Sequence, residues 1–424
     1  TPNGKQLRRH TTHRDFYVRN ATTDGRRIVY HAGADLYMFD PAQGRAQIIP
    51  IEWHSPQTQR QRKFSYAGFS LDGYALSPKG DKLAITTRGK LYTFHNYEGA
   101  VMQHGATDGV RYRLPVWTND ETVLAITDEG GEEAWQSFCR QDDAPGERAP
   151  IMDTGRITAV KINPRKGQIA FTNHRYELIV YDHESETLRI VDRGLSKPIQ
   201  GFDWSPDGEW LAYACSISLR RTAIKLWHGT TGEVRQITDP VLADVQPAFD
   251  PTGKYLFFLS SRIFTPVYDN LQFELSFPRG MVPCLITLQK DTPSPFMPLP
   301  PQETDEEEED GKEEGDKEDG GDGGKSRSDG KKGAAKKERP KVIIDLDGIE
   351  KRVLAFPVRE GLYRQIACAR DGKRVFYTVY APESALNGAL GDTREPASKL
   401  KVYDLEARRE EEVVDNVRDF ALSA

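Results

Sequence analysis

Along most of this chain, short apolar runs alternate with polar turns. The order is a turn, a strand-like run, a short gap, a second run, then polar residues. It begins with ATTDGRRIVYHAGADLYMFDPAQG and LSPKGDKLAITTRGKLYTF. WTNDETVLAIT, INPRKGQIAFTNHRYELIVYD and WSPDGEWLAYA follow, and FDPTGKYLFFLSSR and ARDGKRVFYTVY complete seven copies. Gly25, Gly80, Glu121, Gly167, Gly208, Gly253 and Gly372 end the turns. Runs such as KLAIT and WLAYA are rich in β-formers and short enough to be strands. Gly accepts positive φ and Pro fixes its own, so the Pro-Asp-Gly clusters favour tight turns. A four-stranded unit recurring every forty to fifty residues predicts a β-propeller, because one small sheet cannot bury both faces alone. The expected fold is all-β, a single seven-bladed β-propeller of four-stranded antiparallel blades over residues 1–424.

Two features interrupt the pattern. The last spacing is more than twice the others, which places an insertion between copies six and seven. Glu303–Asp322 is acidic and Lys325–Lys341 is basic, with no apolar side chain larger than Ala. Such a stretch cannot offset its ordering entropy, so residues 302–341 are expected to be a disordered insertion. The chain also ends in VRDFALSA, which echoes HRDFYVRN near the start. Residues 417–424 therefore read as the first strand of a further unit, cut before its turn.

Charge alters the picture little. The net charge is −6, but the insertion carries nearly all of it, so the folded body is almost neutral. That gives no reason to expect nucleic acid. There is no apolar run long enough to span a membrane. Cys139, Cys215, Cys284 and Cys368 lie far apart without metal-ligand spacing, and read as buried thiols in a reducing compartment. The expected location is cytoplasmic, or periplasmic if a leader has been removed.

Catalytic motifs are missing: there is no G-x-S-x-G, HExxH, Walker loop or GxGxxG, and His10 and His13 form no convincing metal pair. No catalytic residue, metal or cofactor is predicted. A propeller offers instead a central channel bounded by the innermost strand of each blade. Eight residues before each turn end stand Tyr17, Asp72, Arg113, Ala159, Gln200, Val245 and Arg364. The polar members, Asp72, Arg113, Gln200 and Arg364, are the candidate channel and peptide-binding residues. Arg113 and Arg364 are expected at the channel mouth, without a full complement of acids. Four residues before the turn end the set is mostly apolar, with Leu76, Trp117, Trp204, Phe249 and Cys368, and reads as core between blades.

The stretches HRDFYVRNATTDGRRIVYHAGADLYMFD, LSPKGDKLAITTRGKLYTF and SSRIFTPVYDNLQFELSF resemble the tricorn protease family, specifically its second, seven-bladed propeller. DTPSPF and KLKVYDLEARREEEVVDNVRDFALSA extend the resemblance. The turns alone are shared with TolB-like, WD40-like and dipeptidyl-peptidase propellers. The resemblance implies a substrate-channel module that guides peptides to a serine-peptidase core absent here, and so a chain inactive alone. It implies partners in peptides, in a first propeller, PDZ and core domains, and in other copies of the full protein. The alternative is a stand-alone propeller scaffold for protein–protein interaction.

Overall fold

The structure is a computed structural model of the chain. It describes residues 8–52, 54, 66–106, 108–139, 146–149, 152–263, 265–268, 275–276, 280–297, 340–380 and 398–423. The expected insertion at 302–341 lies outside these, apart from Pro340 and Lys341. Residues 264, 269–274 and 277 of the SSRIFTPVYDNLQFELSF stretch also lie outside them.

The all-β expectation is borne out. Among the described residues each sequence copy forms one antiparallel sheet with its strands in chain order, giving six four-stranded sheets and one of three strands. We number them sheets 1 to 7 along the chain. Their first strands are Val18–Thr23, Leu71–Leu76, Tyr112–Trp117, Ile157–Ile162, Phe202–Trp204, Asp244–Phe249 and Leu362–Cys368. Sheet 3 shows three strands among the described residues, and an isolated bridge between Gln136 and Arg148 stands where a fourth would run. A two-stranded ribbon, Val267–Tyr268 with Leu275–Ser276, is inserted within sheet 6.

The chain divides into two compact units. Residues 1–70 and 128–132 form the first, and 71–127 with 133–424 form the second. In the first unit, sheet 1 stacks Tyr30 on Tyr37 with ring centroids 5.4 Å apart. The His13 ring lies edge-on to Tyr37, and its Nε2 sits 2.9 Å from the Tyr30 hydroxyl.

In the second unit the core is a series of interfaces between consecutive sheets. Sheets 4 and 5 share Ala170, Leu178, Phe202, Trp204, Tyr213 and Trp227. Sheets 5 and 6 enclose Ile224, Leu226, Leu256 and Phe258, and sheets 6 and 7 enclose Phe257, Phe356, Tyr377 and Tyr403. Each large side chain buried there stabilises the unit by about 1.5–3 kcal/mol. The alternation of each strand therefore turns both its faces toward neighbours, as a stack of small sheets requires.

The first strands carry two further devices. A β-bulge interrupts the pairing of those in sheets 2, 3, 4, 6 and 7. A bulge bends the strand and turns the following side chains to the other face. Leu114 and Gln246 take positive φ at theirs. In sheet 5 the equivalent place holds Gly201 at φ 102°, where a Cβ would stand 2.8 Å from the Cα of Gln246. Only glycine meets both demands. The second device shields the unpaired edges. Trp117 Nε1 donates to the Ala75 carbonyl at 3.0 Å, and Trp204 Nε1 donates to the Lys161 carbonyl at 3.3 Å. The Gln246 N–H donates to the Gln200 carbonyl at 2.9 Å.

Candidate functional site: a channel between the first strands

The first strands of the second unit surround a channel of about 1450 Å³. Its wall takes consecutive residues from each strand: 75–78, 116–117, 158–162, 198–204, 246–249 and 365–368. Residues 420–423 complete it. Runs of successive residues line a space only when a strand presents its edge, so main-chain groups and short side chains share the wall with larger ones.

One end is formed by the turns, with Pro78, Pro164, Pro206 and Pro251. There Asn163 Nδ2 donates to the Gly208 carbonyl at 2.9 Å and ties sheet 4 to sheet 5. The other end is formed where the strands begin, with Pro198, His174 and Tyr176. Between them the wall carries the amides Gln200, Gln246 and Gln365, the ion pair of Lys161 and Asp203, and apolar Trp117, Ile162 and Phe249. Lys161 Nζ stands 2.8 Å from Asp203 Oδ1, so the two charges largely cancel. Cys368 is the lining thiol. Burial pushes its pKa upward, which keeps it protonated and a poor nucleophile. Ser77 donates to Asp81 at 3.0 Å, and among the described residues no His, Cys, Asp and Glu group is arranged to hold a metal ion. What the arrangement offers is a passage rich in hydrogen-bonding groups, whose charged side chains are the Lys161–Asp203 pair and Arg370.

Of the four candidate residues, Gln200 is on this wall. Its Oε1 accepts from Thr222 Oγ1 at 3.4 Å. Asp72 is exposed on sheet 2 and outside the lining. Arg364 is also exposed and outside it, donating to the Tyr380 hydroxyl at 3.3 Å. Arg113 departs most from expectation. Its guanidinium meets both Glu133 oxygens, at 2.5 and 2.6 Å, and donates to the Ile157 carbonyl at 2.6 Å. Glu133 Oε2 also accepts the Ile157 N–H at 2.9 Å. The pair joins sheet 3 to sheet 4, and Arg113 is not an unpaired cation at a pore. The counter-charge comes from the loop before the strand Ala134–Cys139, which a search along one register could not reach.

The residues that the sequence reading missed stand one place further on. Gln246 and Gln365 follow Val245 and Arg364, and the bulge in each strand is what turns them inward. In the set expected as core between blades, Trp117, Trp204 and Phe249 are almost fully buried, and Leu76, Trp117, Trp204, Phe249 and Cys368 also line the channel, which that reading does not foresee.

The closing wall is the segment after sheet 7. Gln365 holds Phe420 by two hydrogen bonds, donating to its carbonyl at 2.8 Å and accepting its N–H at 3.3 Å. The side-chain amide thus imitates one step of strand pairing. Asp419 bonds the Tyr74 hydroxyl on sheet 2. Ala421, Leu422 and Ser423 repeat the sequence Ala75, Leu76 and Ser77, and both stretches line the channel.

Comparison with known proteins agrees with this geometry. The family described as the tricorn protease second beta propeller domain matches residues 71–424, which begins where the second unit begins. A putative tricorn-like protease C-terminal subunit of Sulfurisphaera tokodaii is 32% identical over 99% of this chain, which spans 43% of that relative. A tricorn protease homolog of Saccharolobus solfataricus is 33% identical over 99% of the chain, which spans 35% of it. The crystal structure of the tricorn protease superposes with a TM-score of 0.68 at 22% identity, covering 99% of this chain and 37% of that one, and shows the shared fold. TolB of Agrobacterium tumefaciens aligns over 60% of the chain with a TM-score of 0.38. The matched family and the seven sheets agree on one conclusion: this chain belongs to the tricorn protease family, as its second, seven-bladed β-propeller.

Proposed function

We propose that this chain is a non-catalytic passage for peptides, feeding a peptidase core that lies elsewhere in a longer protein. The channel wall carries the reading. It encloses about 1450 Å³, carries few charged side chains, namely the Lys161–Asp203 pair and Arg370, and is supplied with amide side chains at successive first strands. Such groups satisfy the main chain of a peptide whatever its side chains are. Membership of a family whose relatives are named as proteases supplies the chemistry at the end of the passage. The chain spans less than half of those relatives, so the nucleophile belongs to the remainder. In this reading the partners are peptides and the other domains of the peptidase. The four cysteines are free thiols, which fits a cytoplasmic setting. Among the described residues no helix is long and apolar enough to cross a membrane.

The test is direct binding. Thr158 and Ala421 are exposed residues on the channel wall. Replacing both by Trp narrows the bore and removes the 2.9 Å hydroxyl contact of Thr158 with the buried Thr172. A fluorescently labelled peptide of about ten residues, extended over about 30 Å, is titrated with the chain and followed by anisotropy. The reading expects the Thr158→Trp, Ala421→Trp variant to lose most of the binding while still unfolding in one cooperative melt. Equal affinity for both proteins contradicts it.

A further inference from the structure

At the strand-start end of the channel the loops of sheets 4 and 5 form one connected surface. The Gly194 N–H donates to the Tyr176 carbonyl at 2.9 Å, and the Thr222 N–H donates to the Leu242 carbonyl at 3.0 Å. Ser216 Oγ accepts the N–H groups of Ser196 and Lys197 at 3.0 and 3.3 Å. Arg156 exchanges bonds with His174, its N–H donating to Nδ1 at 2.9 Å. The same loops supply Pro198, His174 and Tyr176 to the channel wall, so the surface and the channel are continuous.

Two properties mark this surface. Large apolar side chains stand out from it: Leu195 is 69% exposed, Leu219 78%, Val241 57% and Leu242 42%. Several exposed apolar side chains on loops that are bonded to one another mark a place where another chain docks. The second property is an excess of positive charge. The loops carry Arg156, Arg175, Arg193, Lys197, Arg220 and Arg221 against Asp153, Glu177 and Asp239. Each acid already has a cation: Arg175 on Asp153 at 2.6 Å, Arg193 on Glu177, and Arg221 near Asp239 at 4.0 Å. Arg156, Lys197 and Arg220 remain without a carboxylate in ion-pair range among the described residues. The channel beyond holds the Lys161–Asp203 pair and Arg370, so most of the excess sits at the mouth.

Resting on the channel reading above, we infer that this mouth is a docking surface for acidic peptide segments that also carry aliphatic side chains. Leu195, Leu219 and Leu242 receive the aliphatic residues, and Arg156, Lys197 and Arg220 receive the carboxylates. Exposed cations act over a Debye length rather than by fixed contacts, so they raise the local concentration of acidic peptides and orient them at the entrance. Passage itself stays insensitive to sequence, because the amide-lined wall reads the main chain. Selectivity therefore lies at the mouth.

The experiment compares three labelled peptides of equal length and equal leucine content, whose remaining positions are Glu, Ser or Lys. Anisotropy titrations are made with the chain, with a Lys197→Glu, Arg220→Glu variant, with Leu219→Ser, and with the narrowed Thr158→Trp, Ala421→Trp channel. The acidic peptide is expected to bind about tenfold more tightly than the serine peptide, an advantage that shrinks steeply as salt rises. Charge reversal should remove that advantage and leave the serine peptide unaffected. Leu219→Ser should weaken the acidic and serine peptides alike. If all three peptides bind equally and only the narrowed channel weakens them, the docking surface is refuted while the channel reading stands. If none binds, both fail. If a single-stranded RNA of similar length binds more tightly than the acidic peptide and displaces it, the surface serves nucleic acid and the inference is overturned.

Discussion

Lys161 and Asp203 meet at 2.8 Å across the boundary of sheets 4 and 5, and the second oxygen of Asp203 accepts the Phe249 N–H of sheet 6 at 2.9 Å. One carboxylate thus ties three consecutive sheets at the channel wall. Its two bonds are unequal in worth. Lys161 is half exposed, so the ion pair contributes about 0.2–1 kcal/mol. The main-chain donor loses its acceptor altogether when the carboxylate goes, at about 1–3 kcal/mol. Urea unfolding should therefore find Asp203→Ala much more destabilising than Lys161→Ala. Equal losses would show that the ion pair, not the capped N–H, carries the joint.

Arg113 and Arg364 should separate in the same way. Arg113→Ala strips Glu133 of its bidentate partner and leaves the Ile157 carbonyl with one donor fewer. A loss of about 2–3 kcal/mol is expected for such a partly buried charge-assisted site. Arg364 is exposed, and Arg364→Ala should shift stability by about 0.5 kcal/mol or less. Thermal melts of the two single variants decide it. Similar melting temperatures would mean that the Arg113 pair is energetically idle.

These two arginines also show how far sequence could be read. The repeat named all seven sheets, because turn chemistry and strand period are local. The set four residues before the turn, read as core between blades, holds the nearly buried Trp117, Trp204 and Phe249, since pairing from the turn to that point is regular; that it also borders the channel lies outside that reading. Counting eight back crosses the bulge. In sheet 3, Val116 pairs with Leu124 but Arg113 pairs with Ile126, so two residues of one strand face one of the other. The side chain expected in the channel is turned to the neighbouring sheet, and in sheets 6 and 7 the next residues, Gln246 and Gln365, take the place. A bulge leaves no unambiguous mark in sequence when its residue is Leu or Gln rather than Gly. The Glu133 partner and the Phe420 wall are contacts between distant segments, and periodicity carries no information about those.

Asp192 sets part of the acid stability. Burial alone would raise its pKa, but Lys225 at 2.8 Å, the Arg193 N–H and the Tyr213 hydroxyl at 2.9 Å outweigh it and hold the carboxyl below its ordinary value. A depressed folded-state pKa stabilises the fold above the unfolded value near 3.8, and that stability is lost as pH falls through the lower folded value. Asp192→Asn should therefore cost about 2 kcal/mol at neutral pH and flatten the decline of stability below about pH 4. Denaturant midpoints measured across that range test the sign. An unchanged slope would mean the carboxylate does not titrate with unfolding.

The buried thiols give a probe of opening. Burial pushes Cys215 up to about 11 and Cys284 up to about 12. The thiolate is the reactive form, so both should resist an aromatic disulfide reagent at about pH 8 and react fully in denaturant. Fast labelling of either in the native protein, identified by mass spectrometry, would show that the interfaces of sheets 4 to 6 open readily.

The central claim is that a peptide occupies the channel, and photo-crosslinking measures it most directly. A peptide carrying one benzophenone side chain is bound to the chain, irradiated, and its attachment sites are mapped by mass spectrometry. The account predicts adducts within residues 198–204, 246–249 and 365–368 on the channel wall, suppressed in the narrowed Thr158→Trp, Ala421→Trp variant. Adducts confined to the last strands of the sheets, such as Thr187–Arg193 or Arg409–Asp415, and unaffected by narrowing, would contradict it.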